Sequence, residues 1–169
     1  KPEVHSYFDE ATNAACYIVR DPSSQSCAVI DSIWDFDLAS GRTHTTHADM
    51  LMNEIRAKGW HVEWLIETHV HADHLSAAPY IADCLGAKIA IGSHIRAVQK
   101  VFGKVFNAGT HFEMDGSQFD RLFEDGDSFK IGNLTVDVMH TPGHTPACVT
   151  YLMGDAAFIG DTLFMPDFG

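Results

Sequence analysis

The stretch Thr68-His69-Val70-His71-Ala72-Asp73-His74 places three histidines and one aspartate within six residues, directly after an apolar run typical of a buried strand. In extended backbone His69 and His71 point to the same side, because side chains alternate with a period of two, so their imidazoles can converge on one cation. Asp73 and His74 fall where the chain turns into the next predicted helix, and we expect them to serve a neighbouring metal. Imidazole and carboxylate ligands together favour zinc, iron or manganese over calcium or magnesium.

Two further motifs offer ligands from elsewhere in the chain. In His140-Thr141-Pro142-Gly143-His144-Thr145-Pro146, proline and glycine predict a tight turn that presents His144 at a strand end. His140 is the last residue of the predicted strand, and both a structural role and metal ligation stay open for it. In Phe158-Ile159-Gly160-Asp161-Thr162, Asp161 is either a turn residue or a ligand, and the other two motifs favour a ligand. The remaining histidines have no partner motif and are expected at the surface or satisfied in the core: His5, His44, His47, His61, His94 and His111.

The three motifs, in this order and spacing, resemble the metallo-β-lactamase fold superfamily over nearly the whole chain. The resemblance implies a layered α/β fold, an αββα sandwich of two mixed sheets with helices outside and a metal site at one edge. It also implies that His69, His71, His144 and Asp161 form one metal site. Asp73 and His74, with Asp161 bridging, would begin a second.

Within that superfamily the residues in and around the motifs are most similar to those of the persulfide dioxygenase and glyoxalase II branch. The dioxygenase resemblance implies one Fe(II) held by His69, His144 and Asp161, a ligand set that leaves positions open for substrate and O₂. The implied reaction oxidises glutathione persulfide, or a similar thiol persulfide, with O₂ to sulfite and thiol. Leu163, Phe164 and Met165 follow the third motif, and we expect them to pack rather than to line the site.

Two other functions stay open. In a hydrolase, one or two Zn(II) ions would activate a water molecule for attack on a thioester, a lactone or a β-lactam, with Asp73 as the catalytic residue that orients or deprotonates the water. The chain could instead be an inactive metal-binding or interaction module. Because loss of activity usually removes ligands first, and every ligand through Asp161 is present, the sequence favours an enzyme.

Composition excludes several classes of partner. The 169 residues are 46% hydrophobic, and residues 1–169 are expected to form one domain. Asp and Glu number 23 against 11 Lys and Arg, a formal charge of −12 that disfavours nucleic acid and anionic membrane surfaces. No apolar run reaches the ~18–20 residues of a membrane span. We therefore expect small-molecule partners, with homo-oligomerisation left open.

The four cysteines lie far apart and form no Cys-x-x-Cys pair, so a cysteine-based zinc site is not expected. Cys16, Cys84 and Cys148 lie in apolar or small-residue surroundings that predict buried free thiols. Free thiols fit a reducing compartment, and we expect a cytoplasmic location.

Periodicity and turn signals predict strands in both halves of the chain, with helices between them. The predicted helices span residues 43–58 and 75–85, with a third beginning after Ser93, and the predicted strands span residues 4–8, 15–19, 27–30, 61–67, 88–91, 128–131, 134–139, 147–152 and 156–159. The chain ends eight residues after Asp161, whereas the superfamily pattern continues with more strands, helices and a late histidine. We therefore expect the domain to be incomplete at its C-terminus.

Overall fold

The computed structural model describes residues 1–37, 39–71, 75–105 and 113–165. The helices of this part are α1 (Thr46–Lys58), α2 (Ala78–Leu85) and α3 (Ile95–Val105), followed near its end by one 3₁₀ turn (Gly160–Thr162). Its strands are β1 (Glu3–Asp9), β2 (Ala14–Arg20), β3 (Ser26–Ile30), β4 (Ile33–Asp37), β5 (Arg42–His44), β6 (His61–Ile66), β7 (Leu75–Ser76), β8 (Lys88–Gly92), β9 (Arg121–Phe123), β10 (Ser128–Ile131), β11 (Leu134–His140), β12 (Val149–Met153) and β13 (Ala156–Phe158).

Two larger sheets form the layers of the fold. The first has the order β1-β2-β3-β6-β8-β9, in which β1 to β3 pair antiparallel and β3, β6, β8 and β9 pair parallel. The second has the order β10-β11-β12-β13 and is antiparallel throughout the described residues. Short strands form a third group, β5-β4-β7. The predicted layered α/β sandwich is thus confirmed, with the mixed pairing in the first sheet.

The first sheet is buried on both faces, which explains its nearly continuous apolar strands. In β3, Cys27 and Val29 pack in a core shared with α1 and α2. Their neighbours Ala28 and Ile30 point the other way, into a core shared with the second sheet that includes Tyr151. Because successive side chains alternate, each central strand joins the helical layer to the second sheet.

Two predicted helices begin later than expected because short strands precede them. Residues 42–44 form β5 against β4, so α1 begins at Thr46, where the backbone N–H of His47 donates to Asp35 Oδ2 (3.0 Å). Leu75–Ser76 forms β7, also against β4, so α2 begins at Ala78. None of the described helices is both long and apolar enough to cross a membrane.

All four cysteines are free thiols in the structure. Cys16, Cys27 and Cys148 are buried, but the prediction of burial is wrong for Cys84, which is exposed. The reason is that α2 buries Ala78 and Ile81, while Cys84 in its last turn faces solvent.

Asp21 joins the β2–β3 turn of the first sheet to the β10–β11 turn of the second. Its carboxylate accepts the backbone N–H of Asn133 (2.8 Å), the backbone N–H and hydroxyl of Ser23 (2.9 and 2.7 Å) and the hydroxyl of Ser24 (2.9 Å). These bonds, that of Asn133 foremost, hold the pKa of Asp21 well below its usual range. The ionised carboxylate therefore stabilises the contact between the two turns.

We expect Asp21→Asn to lower the urea midpoint of unfolding at pH 7. A depressed carboxyl pKa contributes stability above the unfolded value of about 3.9 and loses it as the pH falls from that value toward the lower pKa of the folded state. The difference between the midpoints of the variant and the native protein should therefore narrow progressively below about pH 4. Urea titrations followed by circular dichroism at several pH values would measure this. Asp37→Asn is the matched control. Among the described residues the Asp37 carboxylate bonds to Ala39 and Ser40 of its own exposed turn, so its loss should lower the urea midpoint less. A midpoint difference that does not change with pH would contradict the conclusion that the ionised Asp21 carboxylate stabilises the contact between the two turns.

Candidate metal centre

The first histidine motif lies where the two main sheets meet. β6 of the first sheet ends at Ile66, and the chain continues through Glu67 and Thr68 to His69. The second sheet binds this segment directly: Tyr151 Oη donates to the carbonyl of Glu67 (2.8 Å), and the backbone N–H of Val149 donates to that of Thr68 (2.9 Å). The motif is therefore fixed by both layers.

A chain of hydrogen bonds sets the tautomer of the buried His69. The Thr68 hydroxyl donates its one proton to Asp31 Oδ2 (2.8 Å), so it can only accept from His69 Nδ1, 2.9 Å away. Nδ1 therefore carries the ring proton, and the unprotonated Nε2 offers its lone pair. Burial, together with the nearby charge of His71, lowers the pKa of His69 to about 4, so the ring is neutral at pH 7.

His144 and Asp161 come from the second sheet and face His69. His144 lies in the turn after β11, Asp161 lies in the 3₁₀ turn after β13, and the Thr141 and Thr162 hydroxyls link the two turns (3.4 Å). Asp161 Oδ2 is 3.4 Å from His144 Nε2 and 3.9 Å from His69 Nε2. The ligand atoms of the three residues all lie within 4.8 Å of one another.

This cluster fits a metal ion. His69 Nε2 is buried and has no hydrogen-bond partner among the described residues, which is costly unless another group satisfies its lone pair. Two imidazole nitrogens and one carboxylate oxygen are a donor set for zinc or non-haem iron. The Thr68 hydroxyl bound to the other ring nitrogen of His69 is the kind of contact that orients metal-ligating histidines.

His71 belongs to a second buried cluster. Its Nε2 lies 3.3 Å from both Asp31 Oδ1 and Glu67 Oε2, although its ring centroid is only 4.1 Å from that of His69. The strand ends at Ile66, before these histidines, so the alternation assumed from the sequence does not set their directions. The structure brings together His69, His144 and Asp161, and the ligand role of His71 stays a prediction.

The charges of the second cluster balance one another. Burial alone would lower the pKa of His71, but its bonds to Asp31 and Glu67 outweigh burial and raise it to about 10. Burial would likewise raise the pKa of Asp31, whose bonds to His71 and Thr68 instead keep it below its usual value. Burial raises the pKa of Glu67. His71 is thus a cation at neutral pH and offsets the buried charge of Asp31.

Sequence reasoning missed Asp31 and Glu67. One signal was available for Asp31, which directly follows β3, the parallel neighbour of β6, because carboxyl ends of parallel strands lie at the same sheet edge. Asp31 also has a positive φ of 52°, an uncommon conformation for a residue other than glycine, and such residues concentrate at functional sites. Asp73 and His74, predicted to begin a second metal site with Asp73 as catalytic residue, lie outside the described residues, and those roles stay predictions.

At least three openings border the cluster within the described part of the chain, the smallest of them about 220 Å³ and lined by His69. A cavity of about 730 Å³ lies beside Asp161 and is also lined by Tyr17, Leu163 and Phe164. A more apolar cleft of about 570 Å³ lies beside His144 and is lined by Phe102 and Phe119 among others. The expectation that residues 163–165 pack is wrong, because all three are exposed and the first two line the larger cavity.

Removing the Thr68 hydroxyl should weaken metal binding. Thr68→Val keeps the side-chain shape but removes the hydroxyl that bonds His69 Nδ1 and Asp31 Oδ2, and loss of such a contact typically lowers metal affinity by about 10–100-fold. Chelator competition with Zn²⁺ would measure the loss. Thr68→Ser, which keeps the hydroxyl, is the control and should restore most of the affinity. Equal affinities for the valine and native proteins would refute the role of this hydroxyl.

The model of the family described as the metallo-beta-lactamase superfamily matches residues 10–169, and the chain therefore belongs to that superfamily. Its members are metal-dependent enzymes.

Curated relatives carry several names. The chain is 54% identical to a probable metallo-hydrolase of Burkholderia pseudomallei over 98% of this chain and 60% of that protein. It is 46% identical to glyoxylase B2 of Dictyostelium discoideum, over 100% of this chain and 58% of that protein. It is 26% identical to the human mitochondrial persulfide dioxygenase ETHE1, over 94% of this chain and 51% of that protein. The chain thus spans about half to three fifths of the length of these relatives.

Solved structures share the fold. The crystal structure of ETHE1 from Myxococcus xanthus superimposes with a TM-score of 0.74 at 21% identity, over 96% of this chain and 59% of that one. At this identity the likeness establishes the fold alone.

Proposed function

We propose that the protein is an iron-dependent persulfide dioxygenase that oxidises glutathione persulfide, or a similar thiol persulfide, to sulfite and thiol. The observation that carries the proposal is the grouping of His69, His144 and Asp161, with His71 bonded instead to Asp31 and Glu67. Two histidines and one carboxylate with open positions are typical of non-haem Fe(II) oxygenases. A two-metal hydrolase would also use Asp73 and His74, which lie outside the described residues.

His69, His144 and Asp161 are the residues that would hold the ion. When bound, Fe(II) would supply the redox chemistry of the reaction RSSH + O₂ + H₂O → RSH + SO₃²⁻ + 2H⁺. The outer sulfur is oxidised and O₂ is reduced, so no further oxidant is needed.

The chain's own residues prepare the site for this reaction. The bond to Thr68 holds the His69 lone pair toward the cluster, and the low pKa of His69 means that no proton must leave before an ion binds. The side chains of His144 and Asp161 are 38% and 35% exposed and each borders an opening, whereas His69 is 1% exposed, so substrate would reach the site past His144 or Asp161. His71, paired with Asp31 and Glu67, also borders both openings.

Metal analysis combined with O₂ uptake tests the proposal. After expression in iron-replete medium, the full-length protein should contain about one iron per chain and consume O₂ in proportion to added glutathione persulfide, with sulfite as product. Zinc-loaded protein is the control, since it should bind the same ligands without consuming O₂. Two metals per chain without O₂ uptake would refute the dioxygenase.

A thioester hydrolase with one or two Zn(II) ions is the second candidate, favoured by the names of the relatives that are 54% and 46% identical. In that case the full-length protein should hydrolyse S-lactoylglutathione without O₂ uptake. Asp73→Asn should then abolish hydrolysis, because Asp73 would orient or deprotonate the attacking water.

The partners and location inferred with this function are a small-molecule thiol derivative, O₂ and the cytoplasm. Four free thiols, three of them buried, support a reducing compartment.

A further inference from the structure

We propose that His140 is a positioning residue for His144: its ring closes the turn that carries this candidate ligand, and stacking against His94 fixes the ring. The inference rests on the proposed metal centre, since it concerns how one of its ligands is presented. It resolves the two roles that the sequence leaves open for His140 in favour of the structural one.

The His140 side chain spans the turn from one end to the other. His140 is the last residue of β11, and its backbone N–H donates to Asp125 Oδ1 (2.8 Å). Its ring Nε2 is 2.9 Å from the carbonyl oxygen of Pro146, at the far end of the turn. Because a carbonyl oxygen only accepts, Nε2 carries the proton and donates it. His144 lies between these two anchor points.

The other restraints on the backbone of the turn are short-range bonds. Pro142 and Pro146 have no backbone N–H to donate. The remaining backbone bonds are local: Gly143 N–H to Thr145 O (3.2 Å), Thr141 N–H to Cys148 O (3.0 Å) and Cys148 N–H to Thr145 O (3.4 Å). The Thr145 N–H also donates to Cys148 Sγ (3.2 Å), and the Thr145 hydroxyl accepts the N–H of Ala147 (3.1 Å). These bonds lie within residues 141–148, and the bond from the His140 ring adds a side-chain link from the end of β11 to Pro146, across the segment that carries His144.

His94, which lies between β8 of the first sheet and α3, packs against the His140 ring of the second sheet. The two rings are stacked, with centroids 3.9 Å apart and planes 5° from parallel. His94 directly precedes α3, and its carbonyl accepts the N–H of Ala97 at the start of that helix (2.9 Å). The stack thus ties the His144 turn to the connection between β8 and α3.

The same geometry argues against a second metal site at this pair. Parallel stacked imidazoles direct their nitrogens outward in their own planes, so the two lone pairs do not converge on one ion. In addition, Nε2 of His140 is already bonded to Pro146. The pair is a structural support for the neighbouring site.

Two substitutions separate the hydrogen bond from the stack. His140→Phe keeps an aromatic ring against His94 but removes the donor, whereas His140→Gln keeps a donor at a similar reach. We expect the phenylalanine variant to bind Zn²⁺ about tenfold more weakly than the native full-length protein, the lower end of the effect of groups that orient metal ligands. Its Co²⁺ absorption spectrum should also change, while the glutamine variant should recover most of the affinity. Chelator competition gives the affinities, and thermal melting without metal shows whether the fold itself is affected.

His5→Phe is the matched control, because His5 also contacts an aromatic ring, that of Trp60, and bonds to a carboxylate, but lies on β1. Zn²⁺ affinity and a Co²⁺ spectrum in the phenylalanine variant that match the native protein would overturn the inference, as would equal losses in both His140 variants. If His140→Phe does not fold, His94→Ala tests the stack alone: weaker Zn²⁺ binding supports the inference and unchanged binding overturns it. A native protein that binds no metal would instead refute the proposed centre.

Discussion

His144→Ala is expected to abolish metal retention during purification. Structural zinc sites with four ligands bind with about 10–16 kcal/mol, so losing one ligand costs on the order of 3 kcal/mol, or more than about a hundredfold in affinity. In a centre with three protein ligands the remaining pair, His69 and Asp161, should not hold an ion through dialysis. Metal analysis after dialysis measures this directly.

His61→Ala is the control for this substitution, because His61 is an exposed histidine at the start of β6, remote from the site. It should retain the native metal content. A His144→Ala protein that kept both its metal and its activity would show that the ligand assignment is wrong.

Gly160→Ala is expected to disrupt the site without removing any ligand. Gly160 precedes Asp161 and has a positive φ of 49°, and a Cβ there would overlap the Thr68 hydroxyl and lie 2.8 Å from Thr68 Cβ. The left-handed backbone costs an alanine about 1–2 kcal/mol, and relieving the overlap typically costs about 1–3 kcal/mol more. Because Thr68 orients His69, the displacement should weaken Zn²⁺ binding as well as stability.

Gly59→Ala provides the comparison. Gly59 ends α1 with a similar φ of 65°, but no atom lies within 4 Å of the position of its Cβ. Gly59→Ala should therefore lower the urea midpoint by the backbone cost alone and leave the Zn²⁺ affinity unchanged. If both variants lost stability equally and neither lost affinity, the close approach of Gly160 to Thr68 would have no role in the site.

Most of the candidate site is predictable from the motifs because each lies at the end of a strand. An apolar run followed by polar or turn residues marks a strand end, so the sequence alone indicates where His69, His144 and Asp161 lie. Helix ends are also predictable where glycine stops the helix, as Gly59 and Gly86 do with positive φ.

Other features depend on contacts between distant segments and leave no local pattern. The direction of His71 is set by Asp31, forty residues earlier, and by Glu67. The two-residue strand β7 exists because Ser76 pairs with Ile33, and the Ser76 hydroxyl then bonds both Glu67 Oε1 (2.5 Å) and the first N–H of α2 (3.0 Å). Periodicity alone extends that helix back to Leu75, since nothing local reveals the pairing.

The candidate ligands are divided between the layers, with His69 following the first sheet and His144 and Asp161 following strands of the second. An ion bound by all three would act as a crosslink between the sheets, across the same interface that Tyr151 and Asp21 bridge with hydrogen bonds. A ligand that binds only the folded state stabilises it by about 2.7 kcal/mol at a hundredfold excess over its dissociation constant. The half-life of the protein in a cell would then depend on the supply of metal. The metal-depleted form would separate more often at the interface between the two sheets and would be degraded faster by proteases.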